Sequence, residues 1–225
     1  MRTFFFTIIV LSLVGCQSDT SSVSDETKPY LVNYYVRTHQ TGDDVKAEIR
    51  FKYPDDTSHI IVKDATFQGN KLTTKALANG VTWSGFDGNL DTTRGLEFTY
   101  ELDEDIKGGH TLPFNGITSF EIKGGKVDKS EGFIFEWTGA KIEPNETLIL
   151  FFTDSKGNPV TMNRILNSAD SGFKVTPPLL SNLATGTAQF YAVRKTRIEL
   201  PEEAGLDGVA DLEYYTDAIE IEVVE

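Results

Sequence analysis

The chain has 225 residues, and its 34 acidic and 21 basic side chains give it a formal net charge of −13. Nucleic-acid phosphates bind surfaces rich in Lys and Arg, so a chain this acidic is not expected to have a nucleic-acid partner. Cys16 is the only cysteine, which excludes internal disulfides and thiolate metal sites and leaves stability to a hydrophobic core. At this length the chain can form one large or two modest domains.

The first fifteen residues differ in character from the rest of the chain. Arg2 gives them a short positive start, and residues 4–14 are almost entirely apolar. An eleven-residue helix is about 16 Å long and cannot cross a hydrocarbon layer of about 30 Å. This length and charge order are typical of a secretory signal, and the segment ends in Leu13-Val14-Gly15-Cys16.

Leu13-Val14-Gly15-Cys16 resembles the lipobox of bacterial lipoproteins, in which the cysteine is lipid-modified and cleavage occurs just before it. The resemblance implies a signal peptide at 1–15, acyl chains such as palmitate on Cys16, and attachment to a membrane. Gln17 stands where some Gram-negative lipoproteins carry an inner-membrane retention Asp, which favours the outer membrane. The alternatives are an ordinary cleaved signal that contains a cysteine, or a buried N-terminal strand.

Residues 17–28 are mostly Ser, Thr and Asp and predict a disordered tether with a reach of roughly 20 Å. Loss of residues 1–15 would remove one positive charge, Arg2, and change the net charge from −13 to −14. An acidic body is repelled by anionic lipid surfaces, so we expect the covalent lipid on Cys16 to provide the attachment.

From residue 29 onward the chain has the pattern of β-strands separated by turns. Apolar and polar residues alternate with a period of two, as in half-buried strands, at 45–52, 96–100 and 133–137, and a similar mixture closes the chain at 218–224. Turn residues separate these runs, among them Gly42-Asp43-Asp44, Gly69-Asn70, Gly124-Gly125 and Lys156-Gly157-Asn158. We therefore predict an all-β fold.

The best candidate for a domain boundary is Asp103–His110, where charged residues and Gly108-Gly109 interrupt the strands. We predict two immunoglobulin-like β-sandwich domains in tandem, at 29–107 and 110–225, with one large continuous β-sandwich as the alternative. The arrangement resembles the two-domain immunoglobulin-like lipoproteins of unknown function found in Gram-negative bacteria.

Residues for catalysis are scarce. His39, His59 and His110 are the only histidines, and neither a Gly-x-Ser-x-Gly nor a His-Glu-x-x-His motif is present. We predict no catalytic residue and no cofactor. Paired carboxylates, as in an envelope polysaccharide hydrolase, remain an alternative because such pairs converge in space and not in sequence.

A few residues are candidates for binding. Trp83 lies in a polar, glycine-flanked stretch and could stack on a sugar ring, although burial in the core fits it as well. Asp87, Asn89 and Asp91 place oxygen ligands at alternate positions, as a calcium loop does, but residue 98 is Phe where such a loop needs Glu. We therefore predict a hydrogen-bonded turn and no metal site, with calcium as the alternative. The basic residues Arg194, Lys195 and Arg197 predict a solvated strand face that pairs with carboxylates.

The leading functional prediction is a lipid-anchored, non-enzymatic interaction or accessory subunit of the cell envelope. The alternatives are a surface glycan-binding lipoprotein and the polysaccharide hydrolase. The expected partners are the membrane, through the lipid, and an envelope protein or a glycan. Fold analogy alone does not decide among these functions.

Overall fold

The computed structural model describes residues 30–52, 60, 62–76, 82–89, 95–102, 106–144, 146–165, 171–203 and 206–225. Strands account for most of these residues, and the prediction of an all-β fold is confirmed. The elements are β1 (Tyr30–His39), β2 (Val45–Lys52), β3 (Val62–Phe67), β4 (Asn70–Lys71), β5 (Thr73–Ala76), β6 (Thr82–Gly88), β7 (Leu96–Leu102), β8 (Lys107–Leu112), β9 (Ile117–Ile122), β10 (Lys126–Asp128), β11 (Phe133–Gly139), β12 (Thr147–Thr153), β13 (Pro159–Ile165), β14 (Gly172–Val175), α1 (Pro177–Leu180), β15 (Gly186–Glu203), β16 (Leu206–Tyr215) and β17 (Ile219–Val224).

The period-two alternation that predicted the strands reflects burial of one strand face. In β2 the side chains of Val45, Ala47, Ile49 and Phe51 are buried. In β11 the side chains of Phe133, Phe135 and Trp137 are buried in the same way, as the alternation at 133–137 predicts. Successive side chains of a strand point to opposite faces, so each alternating run covers one core with its apolar side.

One ten-stranded sheet, the main sheet, extends through the whole molecule. Its path is β10-β17-β15-β16-β1-β2-β6-β5, and β12 also pairs with β15 and carries β13 at its side. Two smaller sheets, β4-β3-β7-β8 and β14-β11-β9, complete the described fold. Among the described residues, no helix is long and apolar enough to span a membrane.

Two hydrophobic cores lie between these sheets, as in a pair of β-sandwiches. The first core unites one part of the main sheet with β3, β7 and β8, and the second unites the other part with β9, β11 and β14. Phe114, in the connection between β8 and β9, packs against both cores. The two sandwiches are therefore joined by a packed connection and by a continuous sheet.

The C-terminal strands belong to both sandwiches. Strand β16 pairs in parallel with β1 over ten positions, from Tyr30 opposite Leu206 to His39 opposite Tyr215. Ala210 of β16 is fully buried in the first core, and Ile198, Leu200 and Leu212 pack against the same core. The first sandwich thus receives strands from the far end of the chain, and its division from the second at 107–110 stays a prediction.

Gly108 and Gly109 lie within strand β8, so the prediction that they interrupt the strands is wrong. A Cβ at Gly108 would collide with the side chain of Tyr100, and one at Gly109 would collide with the carbonyl oxygen of Phe98. These glycines therefore serve the close approach of β8 to β7. The helix α1 was not predicted from the sequence, and it begins at the Pro177-Pro178 pair, which suits a first helical turn.

The two ends of β15 lie at opposite ends of the main sheet. Gly186, where the strand begins, is opposite Val223 of β17, and the end of β12 at Thr153 is opposite Gln189. Glu203, where β15 ends, is opposite Leu206, which in turn is the partner of Tyr30. At about 3.3 Å per residue, the strand's 18 residues extend over about 55 Å along its path.

Candidate functional site

At the Gly186 end of the main sheet, two loops and two strand ends enclose a polar depression of about 330 Å³. We call this region the distal tip. It consists of the turn 154–158 between β12 and β13, the loop 182–185 before β15, and the side chains of Lys129 and Glu225. Its lining residues are Lys129, Asp154, Lys156, Asn158, Asn182, Leu183, Ala184, Thr185 and Glu225.

Asp154 organises the tip because its carboxylate accepts hydrogen bonds from both loops. Its Oδ1 accepts from the backbone N–H groups of Lys156 and Asn158, at 2.9 and 2.8 Å. Its Oδ2 accepts from the Asn158 side-chain amide and from the backbone N–H of Ala184, both at 3.3 Å. The hydrogen bond from the Asn158 backbone is the main cause that lowers the pKa of Asp154, so the residue stays ionised at neutral pH.

Further contacts fix the two loops against each other and against the second core. The hydroxyl of Ser155 donates to the carbonyl oxygen of Thr185 at 2.6 Å. Leu183 is only 1% exposed and belongs to the second core. Gly157 has a φ of +81°, a left-handed conformation that closes the turn and that other residues rarely adopt. The tip is therefore a pair of cross-linked loops on a packed base.

The charges in the tip balance. Lys129 forms an ion pair with Glu225 at 3.4 Å, and the remaining charged side chains of the lining are Lys156 and Asp154. The other polar groups are the amides of Asn158 and Asn182, the hydroxyl of Thr185 and backbone groups. In a chain of net charge −13, the described side chains of this depression carry two positive and two negative charges beside several uncharged hydrogen-bonding groups.

A second notable surface is a row of aromatic rings on the outer face of the main sheet. Phe151 and Tyr191 stack at 4.8 Å between ring centres with planes only 3° apart. Tyr191 and Tyr215 follow at 6.4 Å, and Tyr215 and His39 at 5.1 Å. The four residues are half-buried, and their rings stack on one another across strands. The row therefore stabilises the sheet and offers little ring face for sugar stacking.

Next to this row, the charged side chains pair with one another. The carboxylate of Glu213 accepts hydrogen bonds from Lys195 and from the hydroxyl of Tyr35, the latter at 2.9 Å. Burial acts to raise the pKa of Glu213, but the hydrogen bonds from Lys195 and Tyr35 outweigh it and the pKa is lowered. Arg197 contacts both carboxylate oxygens of Asp211 at 3.1 Å. The face satisfies its own charges.

This geometry confirms the predicted strand face for Lys195 and Arg197 and corrects the prediction for Arg194. Arg194 points inward and is 1% exposed. Its guanidinium pairs with Glu146 and donates to the carbonyl oxygens of Asn115, Ala140 and Lys141. Since successive residues of a strand face opposite sides, Arg194 cannot share a face with Lys195.

A broad open depression of about 710 Å³ covers the outer face of β9, β11 and β14. Ile134 lies there with 36% exposure, and Glu121 is directly opposite Glu136 across β9 and β11. Neither carboxylate has an ion-pair partner within the described part of the chain. Two like charges in register repel each other, and among the described residues neither carboxylate shows a hydrogen bond that would give the two different roles as acid and base.

The remaining residues that the sequence singled out are dispersed. Trp83 lies in β6, where its backbone is opposite Arg50 and Lys75, and its side chain lies outside the described residues. His39 stacks on Tyr215, and His110 is hydrogen-bonded to the hydroxyl of Tyr34 at 2.8 Å. Cys16, His59 and Asp91 lie outside the described residues.

The structure leaves the calcium prediction open. Asp87 is the second-last residue of β6, Asn89 directly follows that strand, and both are exposed. The third residue of the pattern, Asp91, lies outside the described part of the chain. Within that part, no group of three or more His, Cys, Asp or Glu side chains could hold a metal ion. The hydrogen-bonded turn stays the prediction for this segment, with calcium as its alternative.

No family model matches the chain, and no curated protein matches it. A solved tetra-tandem repeat from the extending region of a large adhesion protein is 13% identical, over 87% of this chain and 49% of that chain, with a TM-score of 0.34. The tandem Ig repeats of Dlar are 10% identical, over 84% and 98% of the two chains, with a TM-score of 0.27. A structure of a 1.5-MDa bacterial ice-binding adhesin is 15% identical, over 88% and 65%, with a TM-score of 0.25. The chain spans about half the length of the first structure, and TM-scores below 0.5 carry no functional argument.

Only one of the two loops of the tip could be predicted from the sequence. The turn Lys156-Gly157-Asn158 was predicted from its residues, and the structure confirms it. The loop 182–185 follows this turn only after two further strands, β13 and β14, and its residues have no marked turn signature. Asp154 gave no signal either, because an acidic residue before a glycine turn is common in loops.

Proposed function

We propose that this protein is a lipid-anchored, non-enzymatic interaction protein of the bacterial cell envelope, which presents its distal tip as the binding surface. The observation that carries the proposal is the position of the tip, at the end of the main sheet opposite the point where the N-terminal segment joins. A lipid on Cys16 would hold the body at one end and leave the tip directed away from the membrane.

The register of the main sheet supports this orientation. The described chain begins at Tyr30, which is level with Leu206 and the end of β15. The tip lies at the beginning of β15, next to Gly186. The anchored end and the tip are thus separated by about 55 Å of strand, more than the roughly 20 Å reach of the tether.

The construction of the tip supports a binding role. Binding residues occur disproportionately on loops that a rigid scaffold positions, and sandwich domains carry such loops at their ends. Here the loops are cross-linked through Asp154 and Ser155 and are anchored in the core by Leu183. The paired charges and stacked rings of the main-sheet face, in contrast, satisfy each other.

Site-specific photo-crosslinking in native envelopes tests the proposal. A diazirine-bearing residue, which inserts into protein and glycan alike, would replace exposed Lys156 at the tip or exposed Asp207 at the opposite end. We expect a recurrent crosslinked product from position 156 and not from position 207. No product from position 156, or the same products from both positions, would contradict a binding tip.

A further inference from the structure

We propose that the distal tip binds a neutral, hydroxyl-rich ligand, namely a short stretch of an uncharged glycan. The inference rests on the proposed function and gives its binding surface a ligand class. Its basis is the chemistry of the lining: amide and hydroxyl groups that both donate and accept hydrogen bonds, held in a depression whose charges cancel.

Sugar hydroxyls need partners that donate and accept at short range, and the free side chains of the tip supply them. Asn182 and Thr185 are exposed, and within the described part of the chain their side chains have no hydrogen-bond partner. A side-chain amide offers two donors and an acceptor, and a hydroxyl offers one donor and two lone pairs. These two groups line the same depression as Asn158, whose side-chain amide donates to Asp154 and whose side-chain Oδ1 accepts no hydrogen bond from the described residues, while its backbone carbonyl accepts from the N–H of Asp154.

Charge selects against an ionic ligand. Lys129 is neutralised by Glu225, and the Asp154 carboxylate is already occupied by four N–H donors. Among the described residues of the lining, this leaves Lys156 as the unpaired cation, within a chain of net charge −13 that repels anions. A neutral ligand gains hydrogen bonds here without the desolvation of an unpaired charge.

The apolar content of the tip argues against a protein partner. Protein interfaces are usually centred on large anchors such as Trp, Tyr and Arg, and none of these is among the described residues that line the depression. Of its two apolar members, Leu183 is buried in the core and Ala184 is half-buried. The volume of about 330 Å³ lies at the lower end of the range for small-molecule sites, which suits a short saccharide.

The fixed loops would lower the cost of binding. Immobilising loops and side chains at an interface reduces affinity, and a site that is ordered beforehand avoids much of that cost. The four hydrogen bonds to Asp154 and the bond from Ser155 to Thr185 fix the tip through contacts within the chain itself.

The test uses the full lipidated chain in detergent micelles on an array of neutral and acidic glycans, followed by titration with the best neutral oligosaccharide. The Asn182→Ala/Thr185→Val double variant should weaken binding at least about tenfold, since it removes two side chains that would bond the ligand. The matched control, Asn163→Ala/Thr161→Val, changes the same residue types at exposed positions of β13 and should bind as the unaltered chain does.

Binding of neutral glycans that is insensitive to salt and lost only in the tip variant is the expected result. The inference would be overturned if the chain bound no neutral glycan, if it preferred acidic glycans, or if the two double variants weakened binding equally. A recurrent protein crosslinked from position 156 without glycan binding would also overturn it, while the proposed binding role of the tip would stand. Failure of the crosslinking at position 156 would instead refute the proposed function.

Discussion

Arg194 and Glu146 form a buried ion pair at the junction between the two cores, with Nη2 and Oε2 2.5 Å apart. The other oxygen of Glu146 accepts a hydrogen bond from Thr196 at 2.5 Å. Arg194 also donates to the carbonyl oxygens of Asn115, in the connection between the sandwiches, and Lys141. The pair therefore ties the connection to the strand that both sandwiches share.

Loss of Arg194 should strongly destabilise the fold. The Arg194→Ala variant would leave a buried carboxylate and several carbonyl oxygens without donors, and breaking a buried pair typically costs about 3–5 kcal/mol. Arg197→Ala is a matched control on the same strand, because the Arg197–Asp211 pair is exposed and worth less than about 1 kcal/mol. Urea unfolding of both variants measures the difference, and similar losses would show that Arg194 is not a structural lock.

The first sandwich should not fold without the C-terminal strands. A fragment of residues 30–112 would lack β16, which pairs with β1 over ten positions and buries Ala210 in the first core. We expect no cooperative thermal unfolding of this fragment. A fusion that adds residues 193–215 through a flexible linker should restore cooperative unfolding. Cooperative unfolding of the short fragment alone would favour independent domains as predicted from the sequence.

Tyr214 should make the protein sensitive to alkaline pH. Burial, followed by the charge of Asp217, raises the pKa of Tyr214 to about 12, and its hydroxyl donates to the carbonyl oxygen of Ile117 at 2.8 Å. A pKa that is higher in the folded state stabilises the fold below the unfolded value of about 10, and this stabilisation is lost as pH rises towards 12.

The Tyr214→Phe variant separates this effect from the hydrogen bond. It should be less stable than the unaltered chain by about 1 kcal/mol at neutral pH, because the Ile117 carbonyl loses its donor. Between about pH 9 and about pH 11 its free energy of unfolding should fall less steeply than that of the unaltered chain. Parallel slopes in urea unfolding across this range would show that Tyr214 does not control the alkaline transition.

Asp154 should hold the tip in place at neutral pH and release it in acid. The Asp154→Asn variant places an amide group opposite N–H donors, so the amides of Lys156 and Ala184 should exchange with solvent about tenfold faster. The lowered pKa of Asp154 stabilises the tip above the unfolded value of about 3.9, and this is lost as pH falls through the folded value. Hydrogen exchange that is unchanged in the variant would contradict the organising role of Asp154.

A strand could be predicted from the sequence wherever one of its faces is buried and the other is exposed to solvent. Phe133, Phe135 and Trp137 alternate with polar residues because β11 covers a core with one side only. The role of Gly108 and Gly109 could not be predicted, since a glycine that allows two strands to approach has the same sequence signature as one that closes a turn.

Long-range pairing could not be predicted from local patterns. Nothing in the residues of β16 indicates that its partner is β1, some 175 positions earlier, because apolar alternation does not specify which strand lies alongside. The same holds for the tip, where Asp154 bonds to Ala184 across 30 positions. The burial of Arg194 could not be predicted for a related reason: a charged side chain is buried only when partners from distant parts of the chain, here Glu146, pair with it.

Membrane attachment should depend on Cys16. The lipobox-like Leu13-Val14-Gly15-Cys16 predicts that Cys16 carries the acyl chains that attach the protein to its membrane. The Cys16→Ala variant should move from the membrane fraction to the soluble fraction after a carbonate wash, because the substitution removes the side chain that would carry the acyl chains. Gly15→Ala, which keeps a small residue before the cysteine, is the matched control and should remain with the membrane. A Cys16→Ala variant that stays in the membrane fraction would show that another part of the chain provides the attachment, and the orientation proposed for the distal tip would then lose its basis.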